Sequence, residues 1–206
     1  MAHIRKPLAA AVAINTAVFA GEAVAGVRAG SLSLVMDAVH NSSDELALLC
    51  LLAAYVFTLS LSRGLQRAAN LLNSLGLVAL SAVLVWQALE RLTHPRPVDG
   101  WVTVGAGALA AIGNWGVARS LRDWQHGSAA IRLAYLHNVG DIYVSLAPVA
   151  AGLLVSVSGL SAFDPLIALG VAIWLIGSTV LELRGSAESL LWPETATCPH
   201  EEAHGV

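Results

Sequence analysis

Ser31-Leu32-Ser33-Leu34-Val35-Met36-Asp37-Ala38-Val39-His40-Asn41-Ser42-Ser43-Asp44-Glu45-Leu46-Ala47-Leu48 reads as an apolar helix carrying one polar stripe. Asp37, His40 and Asp44 step by three and four, which stacks them on one helical face, while Glu45 begins to leave it. Ionisable groups are costly against lipid, so this face must look onto protein or water. The same chemistry returns in a second apolar run as His137-Asn138-Val139-Gly140-Asp141, continued by Ser145, with Ala134 and Gly140 as small residues suited to close helix approach. Each copy aims one imidazole and one carboxylate at a common point. Two such faces turned toward each other supply two nitrogens and two oxygens, which suits a tetrahedral divalent cation such as zinc. A single His/Asp pair could equally be a hydrogen-bonded clasp between helices, but its duplication on separate apolar segments favours a ligand role.

Composition fixes the setting. Hydrophobic residues make up 56% and charged residues 12%, with a net charge of -3 and a mean hydropathy of +0.69, whereas soluble domains carry about 25% charged residues. The chain reads as an all-α, polytopic membrane protein in a lipid bilayer, with no sign of a nucleic-acid partner. Cys50 and Cys198 give neither a disulfide framework nor a redox pair. Apolar runs long enough to cross the membrane are predicted at about 8–27, 32–60, 70–92, 100–119, 130–157 and 163–183, a six-helix bundle. The domain would span 1–192, and 193–206 would form a short flexible cytoplasmic tail.

With the N-terminus inside, Arg5, Lys6, Arg63, Arg67, Arg119, Arg122, Arg132 and Arg184 fall on the cytoplasmic side and Arg28, Arg91 and Arg96 on the other, which predicts both termini in the cytoplasm. Trp101, Trp124 and Trp192 fall near helix ends, at headgroup level. A competing reading takes Arg5-Lys6 and the apolar run to Val18-Phe19-Ala20 as a cleaved secretory signal. Glu22, inside that run, argues for a retained helix and is either a working carboxylate or one solvated at the far interface.

These residues resemble the cation diffusion facilitator family, also called the zinc transporter or solute carrier 30 family, across about 8–192. The second-helix signature runs from Ser31 to Asp44, Glu90-Arg91-Leu92-Thr93-His94-Pro95-Arg96-Pro97-Val98 is similar to the family's third-helix exit, and Leu136-His137-Asn138-Val139-Gly140-Asp141 to its fifth-helix motif. Asn114 stands where the fourth helix carries Asn, and Asp164-Pro165 where the sixth opens. The resemblance implies a proton-coupled exporter of zinc or a related divalent ion, with His40, Asp44, His137 and Asp141 as the transport site and no resident cofactor. Asp37 is a usual family position whose role, as ligand, proton relay or support for His40, stays open. The ion and protons would be the partners, in a cytoplasmic (inner) membrane of bacterial type, with a homodimer possible through membrane helices.

The expected chain departs from the family in lacking a cytoplasmic metal-sensing domain after the last helix and a histidine-rich loop, which holds only His126. The tail residues Cys198, His200 and His204 are metal-capable but read as a solvated end. His94 and His126 read as loop residues, Asp164 as a cap of the sixth helix, and Asn114 as a bundle hydrogen bond. Two other classes stay in view. An intramembrane metalloenzyme would need a general base, for which Glu45 is the nearby candidate although its helical phase points away. A membrane metal sensor or accessory subunit would bind without transport. The leading expectation is not an enzyme.

Overall fold

The computed structural model describes residues 5–57, 63–126 and 129–191, and among these there are helices and their connections and no strand. In chain order the helices are α1 (Arg5–Ala29), α2 (Leu32–Phe57), α3 (Arg63–Thr93), α4 (Gly100–Leu121), α5 (Ala129–Val144), α6 (Leu146–Ser158) and α7 (Phe163–Leu191). A single 3-10 turn, Arg122–Trp124, follows α4. Trp192, the tail with Cys198, His200 and His204, and the ends of the 32–60 run and of two loops (58–62 and 127–128) lie outside the described residues.

The run expected as one fifth helix, 130–157, is two helices that meet at Ser145. Pro148 supplies the reason. A proline lacks the N–H that would bond the carbonyl four residues back, and its ring crowds that carbonyl. The carbonyl concerned is that of Val144, the last residue of α5. Ser145 itself still donates its N–H to the Asp141 carbonyl at 2.9 Å, so the break is a bend in a continuous span. Elsewhere the helices outrun their expected ends, α1 and α7 by several residues, because backbone hydrogen bonding continues past the point where composition turns polar.

α1 lies on α2 and α4, α4 on α5 and α6, and α3 pairs with α7, which also touches α2 and α6. The buried positions of α1, Leu8, Ala11, Asn15, Glu22, Gly26 and Ala29, follow a step of three and four, the seam by which one helix lies along another. Gly140 was expected at a close helix approach, but it is exposed and a Cβ there would meet nothing. The close approach lies farther along, where a Cβ on Gly152 would strike the Gly100 carbonyl and bring α6 into collision with the start of α4. Gly30 joins α1 to α2 at φ +68°, a backbone region glycine enters at little cost. The Arg91 guanidinium donates to its carbonyl.

Two apolar cores sit at opposite ends of the bundle. Leu32 and Met36 pack with Leu84, Ala88, Ala168, Ala172 and Leu175 of α3 and α7. Leu48 packs with Leu8, Ala11, Val117, Leu121 and Ile131 of α1, α4 and α5. Between them on α2 come His40 and Asp44, each four residues from the next in the series 32, 36, 40, 44, 48. A step of four advances about 40° around a helix of 3.6 residues per turn, so the series winds from the α3/α7 side toward α1, α4 and α5. The polar pair therefore falls where α2 passes from one core to the other.

Among the described residues, five helical stretches are long and apolar enough to cross a membrane: Arg5–Ala29, Ser74–Thr93, Gly100–Trp124, Ala134–Ser158 and Phe163–Leu181. α2 is long enough at 26 residues, but Asp37, Asp44 and Glu45 set it apart by composition.

Candidate metal centre

His40 and Asp44 come from α2, His137 and Asp141 from α5, and one ligand atom from each lies within 4.8 Å of the other three. The pairing is crossed. His40 Nε2 lies 3.0 Å from Asp141 Oδ1 and His137 Nε2 lies 2.7 Å from Asp44 Oδ1. Partners on the same helix are farther, His40 to Asp44 and His137 to Asp141 both at 3.8 Å. The imidazole rings are tilted, with centroids 5.7 Å apart. Three of the side chains are buried, while His137 is 49% exposed, so the cluster is open on one side.

An ionised carboxylate only accepts hydrogen bonds, so each Nε2 facing one carries the hydrogen. A metal ion would take that hydrogen's place. Zinc–ligand bonds of about 2.0–2.1 Å put neighbouring tetrahedral ligands roughly 3.3–3.4 Å apart. With its atoms within 4.8 Å of one another, the cluster is therefore up to about 1.4 Å too wide at its longest edge, while its measured His–Asp edges of 2.7–3.8 Å bracket that size, a gap that side-chain rotation can close. Asp44 Oδ2, Asp141 Oδ2 and His40 Nδ1 are buried with no hydrogen-bond partner, which leaves electron pairs directed into the site or beside it.

The remaining polar residues separate into three settings. Asp164 does not cap its own helix as expected. Its carboxylate is fully buried and caps α2 instead, accepting from Ser31 Oγ at 2.7 Å, Leu32 N at 2.6 Å, Ser33 N at 3.2 Å and Ser33 Oγ at 2.6 Å. The first amides of a helix have no partner within it, and a carboxylate also complements the positive end of the helix dipole. Asp164 thus fixes where α2 starts, two turns ahead of His40. Asn114 makes the bundle contact expected of it, donating to Ser145 Oγ at 3.0 Å.

Along the α1–α2 seam, Glu45 turns away from the cluster, as its phase predicts, and accepts from Asn15 Nδ2 at 3.0 Å and Thr16 Oγ1 at 2.6 Å. Asn15 also donates to the Asn41 carbonyl at 3.0 Å. Glu22 is 2% exposed, which rules out solvation at an interface, and accepts from Asn41 Nδ2 at 2.7 Å. Sequence reasoning passed over Asn15, Thr16 and Asn41. The available signal was the seven-residue spacing of Asn15 and Glu22, which places both on one side of an apolar helix.

Asp37 is the third setting. It is 1% exposed and neither carboxylate oxygen has a hydrogen-bond donor. It faces Glu22, with Ser145 and His40 nearby. A cavity of about 540 Å³ lies apart from the four-residue cluster, between α1 and α4, and Glu22 is the one polar residue in its lining. His94 and His126 are exposed, as loop residues should be, and Cys50 is an exposed free thiol.

The chain matches the cation efflux transmembrane domain over residues 8–191. It is 33% identical to the zinc transporter ZitB of Escherichia coli over 184 residues, which cover 82% of this chain and 57% of that protein. It is 27% identical to the metal cation efflux system protein CzcD of Cupriavidus metallidurans over 195 residues, 90% of this chain and 61% of CzcD. A cadmium, cobalt and zinc/H(+)-K(+) antiporter of Bacillus subtilis is 31% identical over 174 residues, 76% of this chain and 54% of the antiporter. The chain spans little more than half to about six tenths of the length of these relatives. With its apolar spans, its order of motifs and its match along nearly the whole length, the chain belongs to the cation efflux family of multi-pass proteins of the bacterial inner membrane.

Proposed function

We propose that this protein exports a divalent metal cation, zinc foremost, from the cytosol in exchange for protons, through alternating access to a site made by His40, Asp44, His137 and Asp141. The observation that carries the reading is the convergence of two imidazoles and two carboxylates from α2 and α5 within 4.8 Å. α2 completes a set of six spans in this reading, with both termini cytoplasmic, and a homodimer through membrane helices belongs to the same proposal.

The mechanism follows from the crossed pairs. Without metal, each imidazole is tied to the carboxylate of the other helix by a hydrogen on Nε2. With both ring nitrogens protonated, an imidazolium pairs with that carboxylate. Metal binds only the neutral ring, so loading at Nε2 releases the Nε2 hydrogen as a proton, and protons arriving from the other side restore the imidazolium and expel the ion. The two carboxylates offset the ion's charge and lower the cost of holding it at membrane depth. In the proposed orientation the exposed ring of His137 lies toward the cytoplasmic ends of α2 and α5, which makes this an inward-facing arrangement. Two relatives' names, zinc transporter and cadmium, cobalt and zinc/H(+)-K(+) antiporter, support this reading.

A metalloenzyme would need a base beside the ion, and Glu45 is instead bound to Asn15 and Thr16. Purified protein in vesicles with an imposed pH gradient and a trapped zinc indicator tests the proposal. Zinc entry coupled to proton exit supports the exporter; binding without flux assigns a sensor, and neither would reject both.

A further inference from the structure

We propose that Glu22 and Asp37 hold one proton between them, as a proton-binding site separate from the four-residue metal cluster. The proposal rests on the exporter reading only for the use made of that proton.

The two carboxyl groups face each other across the α1–α2 seam, 2% and 1% exposed. Between them they offer four oxygens. Three of these, both of Asp37 and Oε1 of Glu22, have no hydrogen-bond donor, and the fourth, Glu22 Oε2, is served by Asn41 at 2.7 Å. An unmet buried acceptor is costly, and more so when charged. Two bare carboxylates in contact cannot both stay ionised without a cation. Among the described residues, no lysine or arginine acts on either group. The charged and titratable groups facing the pair are His40 on α2 and Asp141 on α5, and Asp141 adds negative charge. The other neighbours are neutral: Asn41 on α2, and Ser145 at the α5–α6 junction, whose Oγ accepts from Asn114 of α4 at 3.0 Å and whose O–H is left to face Asp37 as a weak donor beyond normal hydrogen-bond geometry. One proton mends this: an O–H on one carboxyl donates to the other, and the pair falls from two negative charges to one.

The site is also linked to the metal cluster. Asp37 stands one helical turn before His40, and Ser145 one turn after Asp141. A divalent ion entering the cluster lowers the electrostatic need for the shared proton, and its departure restores that need. The pair thus adds one proton to those exchanged at the imidazoles.

Glu22→Gln tests this, because an amide donates to Asp37 as a protonated glutamate would and cannot release a proton. Two measurements are needed on the full chain in lipid. The first is the infrared carbonyl band of a neutral carboxylic acid, recorded without metal. The second is the number of protons released on zinc binding, from calorimetry in buffers of different ionisation enthalpy. The wild type should show the band and Glu22→Gln should lose it, with proton release lower by one while zinc still binds. Asp37→Asn should do the same and stands in if the first variant folds poorly. An unchanged band or an unchanged proton count in both variants overturns the proposal. Failure of the wild type to bind zinc would count against the exporter reading, and the band would still decide the proton site.

Discussion

Asp164 and Asp37 are both buried acids at the first half of α2, the one reaching it from α7 and the other carried by it, and they live in opposite circumstances. Asp164 receives four donors from residues 31–33. Asp37 receives none on either oxygen. A carboxylate saturated with donors is fixed in place, which is what a joint between α7 and α2 requires. A carboxyl group with empty acceptors and another acid as its neighbour is poised to take up and release something. The difference separates the architecture of the bundle from its working parts more cleanly than burial does, since burial is the same for both.

The contrast can be broken at its strongest point first. Asp164→Ala should cost about 3–5 kcal/mol of unfolding free energy in detergent micelles, since it strands buried helix-start amides with no partner. A loss below about 1 kcal/mol would show that α2 keeps its start without the cap. Removing a proposed ligand should act on function instead. His137→Ala should reduce pH-driven zinc uptake into vesicles by roughly 100-fold or more, beyond the 10–100-fold typical of residues that merely support a ligand, with protein abundance nearly unchanged; flux at the wild-type level would reject its place among the ligands. Zinc affinity should fall as pH is lowered, because protons occupy the imidazole lone pairs that metal needs. Titrations that give the same affinity at acid and neutral pH would contradict the imidazole assignment.

Asp37→Asn sharpens the comparison. Its stability should shift by less than about 1 kcal/mol in either direction, because no donor is abandoned. A loss as large as that of Asp164→Ala would erase the distinction between the two acids. Smallest of all, Glu45→Gln should leave zinc affinity within about twofold and stability within roughly 1 kcal/mol, since the amide oxygen can still accept from Asn15 while the amide NH2 donates to Thr16 Oγ1, whose hydroxyl keeps its bond to the Val12 carbonyl. A large fall in affinity would bring Glu45 back into the metal chemistry.

The cluster itself was legible because its information is local: His-x-x-x-Asp on an apolar helix fixes a shared face, and two copies imply a meeting. The crossed pairing was not, since i,i+4 spacing is silent about which partner on the other helix each ring prefers. The cap on α2 was out of reach for a similar reason. Asp164 stands more than 130 residues from its donors, and next to Pro165 it looks like the start of its own helix. Glu22 was read as an equal choice between interface and interior, a choice only the packing of α1 against α2 could decide. The bend at Ser145 had a local signal in Pro148, which was submerged in an otherwise uninterrupted apolar run.

That bend gives α5 the character of a lever. The lock between Gly100 and Gly152 holds the α6 side of the span to α4, so any tilt is taken up on the α5 side. His137 lies eight residues from the fulcrum, about 12 Å at 1.5 Å per residue, and a swing of about 10° would carry it roughly 2 Å. Asp141, half as far out, would travel about half that distance. Such a stroke would widen the cluster from the His137 end while Asp141 stays near His40, so its crossed pairs would part in sequence rather than all at once.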